Sequence, residues 1–159
     1  MNDKRYKPND IVVPTGQVVF TFHNVKTGKV RHYYVKNMFV TAGKNSIADA
    51  LRGTTANNKG IITYCALGTS AVAPALGNTH LGAEIARKLV SVRSIANNVA
   101  TFQTFFTTSE GIGSLREAGL FGDDASATPD TGTLFCHTAI NRTKSSNDTL
   151  TISWAVTIG

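Results

Sequence analysis

The stretch Thr149-Leu150-Thr151-Ile152-Ser153-Trp154-Ala155-Val156-Thr157-Ile158-Gly159 alternates strictly between large apolar and small side chains. Leu150, Ile152, Trp154, Val156 and Ile158 fall on one face of an extended chain; Thr149, Thr151, Ser153, Ala155 and Thr157 fall on the other. Side chains of a strand alternate between faces, so this pattern predicts a strand with one buried and one wetter side. Trp154 is expected in the core. The strand is expected to end one residue before the chain does, leaving no tail for regulation or targeting.

The same period recurs upstream. Residues 17–23 place Val18, Phe20 and Phe22 on one face, a turn follows at 24–29 with Gly28, and residues 30–35 return, which predicts a β-hairpin. Further strands are expected at 37–41, 61–67, 90–95, 99–107, 115–121 and 133–140. Turn residues punctuate them at Asn97-Asn98, at Gly111-Ile112-Gly113 (read as a hairpin turn), at Gly122-Asp123-Asp124 and at 145–148. The period changes twice. Ile47, Ala50 and Leu51 suggest a short helix over 43–52, capped by Asn45 or Ser46 with Asp49 near its positive end. Leu81, Ile85 and Leu89 suggest a second one after a cap at Asn78 or Thr79. About eight strands with a turn every ten residues or so predict an all-β fold, mainly antiparallel: a β-sandwich or jelly-roll-like barrel with one or two short helices. Residues 1–16, with Pro8 and Pro14, read as an extended N-terminal arm, and 17–159 as a single domain.

The 159 residues suffice to bury a core without metal or disulfide staples. Charged residues are only 16% of the chain, where roughly 25% is ordinary, so Thr, Ser, Asn and Gly fill the surface. Such a surface suits a β-domain lying against copies of itself. No apolar run reaches the roughly 20 residues of a membrane helix, and the N-terminus is not that of a signal peptide; a soluble product made in the cytoplasm is expected. The net charge of +6 lies entirely in the first third of the chain. Lys4, Arg5 and Lys7 on the arm, with Lys26, Lys29 and Arg31 on the first hairpin, are the candidates for contact with an acidic partner. Without a zinc-finger, helix-turn-helix or RNP-like pattern, nucleic acid is not the expected partner.

Chemistry-bearing residues form no motif. His23, His32, His80 and His137 lack metal-ligand spacing, although His23 and His32 flank the first hairpin and could face each other. Cys65 and Cys136 each sit in an apolar run and are expected as buried thiols. Cys65 with His137 lacks the surroundings of a nucleophile–base pair, and Gly111-Ile112-Gly113-Ser114 lacks the second glycine of a nucleophile elbow. Asp123, Asp124 and Asp130 are not spaced as a calcium loop. Glu84 and Arg87, three apart, are expected to form a structural ion pair on the second helix. Glu117, beside an apolar run, is expected to meet a basic residue. Neither catalytic residues, nor a metal, nor a cofactor is expected.

Taken together, Thr27-Gly28-Lys29, Val40-Thr41-Ala42-Gly43-Lys44 with Ile47-Ala48, and Tyr64-Cys65-Ala66-Leu67-Gly68-Thr69 with Ala73-Pro74 resemble small structural proteins of tailed bacteriophages. Asn78-Thr79-His80-Leu81, Glu84, Arg87, Ala118-Gly119-Leu120-Phe121-Gly122, Gly132-Thr133-Leu134-Phe135 and Lys144 continue the likeness over roughly residues 17–159. The resemblance implies a non-enzymatic virion component, of the capsid decoration or head–tail connector type, that assembles with itself, as a trimer by preference, and with other virion proteins. The alternative is a tail-fibre or tail-tip component that binds host-surface carbohydrate through loop aromatics; tyrosines at 6, 33, 34 and 64 and the single Trp154 are a small stock for that task.

Overall fold

The computed structural model describes residues 14–53 and 58–159. The elements are β1 (Thr15–Asn24), β2 (Val30–Lys36), β3 (Met38–Phe39), α1 (Thr41–Leu51), β4 (Ile62–Gly68), β5 (Glu84–Leu89), β6 (Val92–Ala96), β7 (Val99–Phe106), β8 (Gly113–Gly122), β9 (Thr133–Lys144) and β10 (Asp148–Thr157). They form two five-stranded antiparallel sheets. Sheet A has the order β2-β1-β10-β7-β6 and sheet B the order β3-β9-β8-β4-β5. The chain changes sheet four times: at Asn37, at 90–91, at 107–112 and at 145–147.

The alternating C-terminal strand lies in the middle of sheet A, paired with β1 from Thr15↔Thr157 to Asn24↔Asp148 and with β7 on its other side. Its apolar face meets Val18, Phe20 and Phe22 of β1 and the inner residues of sheet B, including Cys65, Leu67, Leu120 and Cys136. Trp154 is wholly buried there. Ile158 falls outside the strand and is 41% exposed. A second, smaller cluster (Val40, Ala66, Leu81, Phe121, Leu134) lies on the outer side of sheet B.

Several local expectations are corrected. The second helix is strand β5: its backbone groups are taken up by β4, from Tyr64↔Leu89 to Gly68↔Glu84, and the four-residue spacing of Ile85 and Leu89 is also a multiple of two. Leu81 belongs to the preceding loop. The first helix starts at Thr41, and Val40 occupies its cap without a side-chain bond. Asn45 and Ser46 therefore lie inside it, Asp49 sits toward its C-terminal end with Arg52, and Leu51 is 85% exposed. Gly43 and Ser46 face the sheet instead; a Cβ on Gly43 would fall 2.6 Å from Phe135 Cα, so only glycine lets the helix lie this close. The Gly111-Ile112-Gly113 turn is a crossing between sheets, not a hairpin. β1 begins at Thr15, inside the expected arm, of which residues 1–13 lie outside the described residues.

Candidate functional site

The chemistry-bearing side chains gather on the outer face of sheet B, under the loop of residues 69–83. Glu117 is buried there with both carboxylate oxygens occupied. Oε1 accepts the backbone N–H groups of Ser70 (3.3 Å) and Ala83 (2.9 Å); Oε2 accepts Gly82 N–H (3.0 Å) and lies 3.0 Å from His137 Nε2. The expected basic partner of Glu117 is thus His137. His137 Nδ1 lies 2.9 Å from Asn78 Oδ1, which accepts Ala75 N–H. Both ring nitrogens face oxygen, an arrangement satisfied by a proton on each. Burial opposes the second proton and holds the His137 pKa below its ordinary value, against the pull of Glu117.

Ser70, Asn78, His80 and Gly82 enclose a cavity of about 70 Å³ beside this pair. That is room for little more than two water-sized groups. The geometry therefore fastens a loop to a sheet: one carboxylate satisfies three loop N–H groups that would otherwise be stranded in a covered site. Cys65 points to the opposite, inner side of the sheet, so the structure does not bring it to His137. Burial pushes its thiol up to about 12, with Trp154 and Thr104 pulling the other way; Cys136 is raised further by burial. Both cysteines are free and buried.

Glu84 and Arg87 do pair, but on a strand. Residues three apart in a regular strand face opposite ways; the bulge between Leu67 and Gly68 inserts Ile85 as an extra residue and brings the two onto one face. Arg87 Nε and Nη2 donate to Glu84 at 2.7 and 2.8 Å, Nη1 donates to Thr131 O at 2.8 Å, and the guanidinium stacks 4.0 Å from the Phe121 ring centre. Both side chains are almost fully buried. This bidentate pair ties β5 to the loop before β9.

Of the basic candidates, Lys4, Arg5 and Lys7 lie outside the described residues. Lys26 and Lys29 stand exposed at the β1–β2 turn. Arg31 is half-buried, 3.0 Å from Asp148 Oδ1 and 5.5 Å from the Phe22 ring centre. Burial works to raise the Asp148 pKa, but hydrogen bonds from Ser145 and Asn24 and the Arg31 charge outweigh it, and the net shift is downward. Arg31 is thus held by the fold. His23 and His32 are offset across the hairpin: His32 is opposite Thr21, with Nδ1 2.9 Å from its Oγ1. Asp123 is buried, accepting from Ser46 Oγ (2.6 Å) and Gly60 N–H (3.0 Å) and paired with Lys59. Among the described residues no three His, Cys, Asp or Glu side chains are grouped to hold a metal ion.

The burial of one residue escaped sequence reasoning. Lys144 is fully buried, with Nζ donating to Thr107 O at 2.7 Å, and burial lowers its pKa. Its position on the inner side of β9 follows only from the length of that strand, which runs four residues past the expected end.

The outer face of sheet A is different in kind. Gln17, Val19 and Thr21 of β1, the threonines and Ser153 of β10, Val99, Thr101, Gln103 and Phe105 of β7, and Val92 and Ser94 of β6 form it. None of the outward residues on these four strands is Asp, Glu, Lys or Arg, and no other described element lies over them. No family model, curated protein or solved structure matches this chain.

Proposed function

We propose that this chain is a non-enzymatic assembly subunit that forms a closed homo-oligomer through the outer face of sheet A. We take it to be a virion structural protein of the tailed-bacteriophage type, on the capsid as a decoration or connector subunit. The carrying observation is that a wide sheet face, uncovered among the described residues, bears no charge on four of its five strands, in a chain of net charge +6. Charge is depleted at the centres of protein interfaces and normally abundant on free surfaces. Threonine hydroxyls and β-branched side chains make such a face flat, and symmetric self-association is the common way a small β-domain covers one. The single sandwich, with no shaft among the described residues, fits a decorating subunit better than a fibre.

The test is the absolute mass in solution by light scattering across concentration. A trimer or larger ring is expected, and Thr151→Lys at the centre of the face should return it to a monomer with an unchanged circular dichroism spectrum. A wild-type monomer at every concentration would overturn the self-association reading.

A further inference from the structure

The two long sides of the sandwich are closed differently. On one, the chain passes from β5 to β6 through Val90 and Ser91 alone. Their N–H groups donate to Thr63 O and Gln103 O, both at 2.8 Å, and Arg93 Nε reaches across to Ile62 O at 3.0 Å. The other side is open among the described residues. β2 is the last strand of sheet A, and β3, the last of sheet B, covers only Cys136 and His137 of β9. Beyond them β9 runs to Lys144 with no strand on that flank among the described residues. The two edges part from the corner at Asn37, where Thr138 Oγ1 donates to Lys36 O at 2.8 Å.

Between these edges runs an open groove of about 570 Å³, lined by residues 32–35 of β2 and 139–142 of β9, with Arg116 and Ala71 of the 69–83 loop beside them. A groove on a sheet face would meet every second residue of a strand. This one meets four in a row from each, so it follows the strand edges. At the β1–β2 turn Asn24 N–H donates to Lys29 O, and at the far end Asn37 N–H donates to Gly16 O. In that phase Arg31, Tyr33 and Val35 exchange bonds with β1, and the backbone groups of His32 and Tyr34 point outward into the groove.

The lining carries no Asp or Glu. Arg116 and Arg142 form no ion pair among the described residues; Arg142 stacks 4.0 Å from the Tyr33 ring centre and donates to Asn141 O. We infer that this groove binds an extended acidic peptide segment of another protein, which adds as a strand along β2 and presents alternate carboxylates to Arg116 and Arg142. The backbone groups of His32 and Tyr34 supply the pairing, and the two guanidinium groups choose the sign of the partner. The chain's own first residues, with Lys4, Arg5 and Lys7, have the wrong charge for this seat. The inference stands apart from self-association, which uses a different face.

The experiment uses the full chain and a fluorescein-labelled Val-Glu-Val-Glu-Val-Glu peptide, read by anisotropy, with amide exchange read by NMR. Binding is expected, weakening at least tenfold from low to high salt and tenfold again in an Arg116→Gln/Arg142→Gln variant, with His32 and Tyr34 amides newly protected. The same peptide N-methylated at alternate nitrogens keeps its charge but cannot pair; it should not bind, and this arm needs no protein variant. Equal binding of a Val-Lys peptide, or no binding of either, would overturn the inference and leave the arginines as guards against edge pairing. Displacement by glucuronic acid at equal concentration would overturn it in favour of an acidic-sugar site.

Discussion

The outer faces of the two sheets solve the same problem in opposite ways. Sheet B is roofed by α1, by the loop of residues 69–83, which covers Glu117 and His137, and by the loop before β9, which meets Glu84 and Arg87, each with its partners in place. Sheet A has no such cover among the described residues and has instead shed its charge on four of its five strands. A buried charge is tolerable only when paired and hydrogen-bonded, so the roofed face can keep acids and bases that the bare one lacks. The contrast locates where this fold invests its polar chemistry: in holding itself together on one side, and in leaving a neutral surface on the other.

The shared core beneath both faces should dominate any stability measurement. Trp154→Ala should cost about 3–5 kcal/mol in denaturant unfolding, since Trp154 fills the space between the sheets. A melting curve like wild type would break the assignment of that strand to the core. The next largest effect belongs to the roofed face. Glu117→Ala should cost about 3 kcal/mol, because it strands His137 and three loop N–H groups, and amide exchange should rise specifically at Ser70, Gly82 and Ala83. If exchange rises uniformly instead, the carboxylate is not what fastens the loop.

Acid should sharpen the comparison further. The native pKa of His137 is depressed by burial, so as pH falls below its unfolded value of about 6.5 the unfolded chain takes up the proton first, and stability declines until the native ring also protonates. His137→Gln should flatten that segment of the pH–stability curve. A second decline should begin near pH 4, where the unfolded carboxylates take up protons before Asp148, held low in the fold, and Glu110, which hydrogen bonding from Lys88 draws down to about 2. The smallest effect belongs to the exposed turn. Lys26→Ala with Lys29→Ala should change stability by less than about 0.5 kcal/mol. Arg31→Ala should exceed it, because that side chain pairs with buried Asp148.

Strand period made most of this fold legible. β1, β2 and β10 show their buried face as plain alternation, and Trp154 could be placed in the core from its neighbours alone. What stayed hidden depends on contacts made elsewhere in the chain. The three-residue spacing of Glu84 and Arg87 in β5 looks helical because Ile85 is an inserted residue, and a bulge is fixed by the partner strand, not by local sequence. Leu51 looks like a core residue of a helix whose true inner face is set by how closely Gly43 can approach Phe135. For the site, the pairing of Glu84 with Arg87 could be read from spacing, though for the wrong element. Glu117 and His137 meet because β8 and β9 pair in a register broken by two irregularities, and the local sequence of neither strand fixes that register.

The pairing of β1 with β10 at the heart of sheet A also sets a clock. Its hydrogen-bonded pair Asn24 and Asp148 are 124 positions apart. At roughly 5–20 residues per second, a ribosome needs on the order of ten seconds between making the first strand and making its partner. Throughout that interval Val18, Phe20 and Phe22 have been synthesised but lack the strand that covers them. The nascent chain must hold a finished hairpin in waiting, and the time of greatest risk for mispairing comes before the last strand emerges.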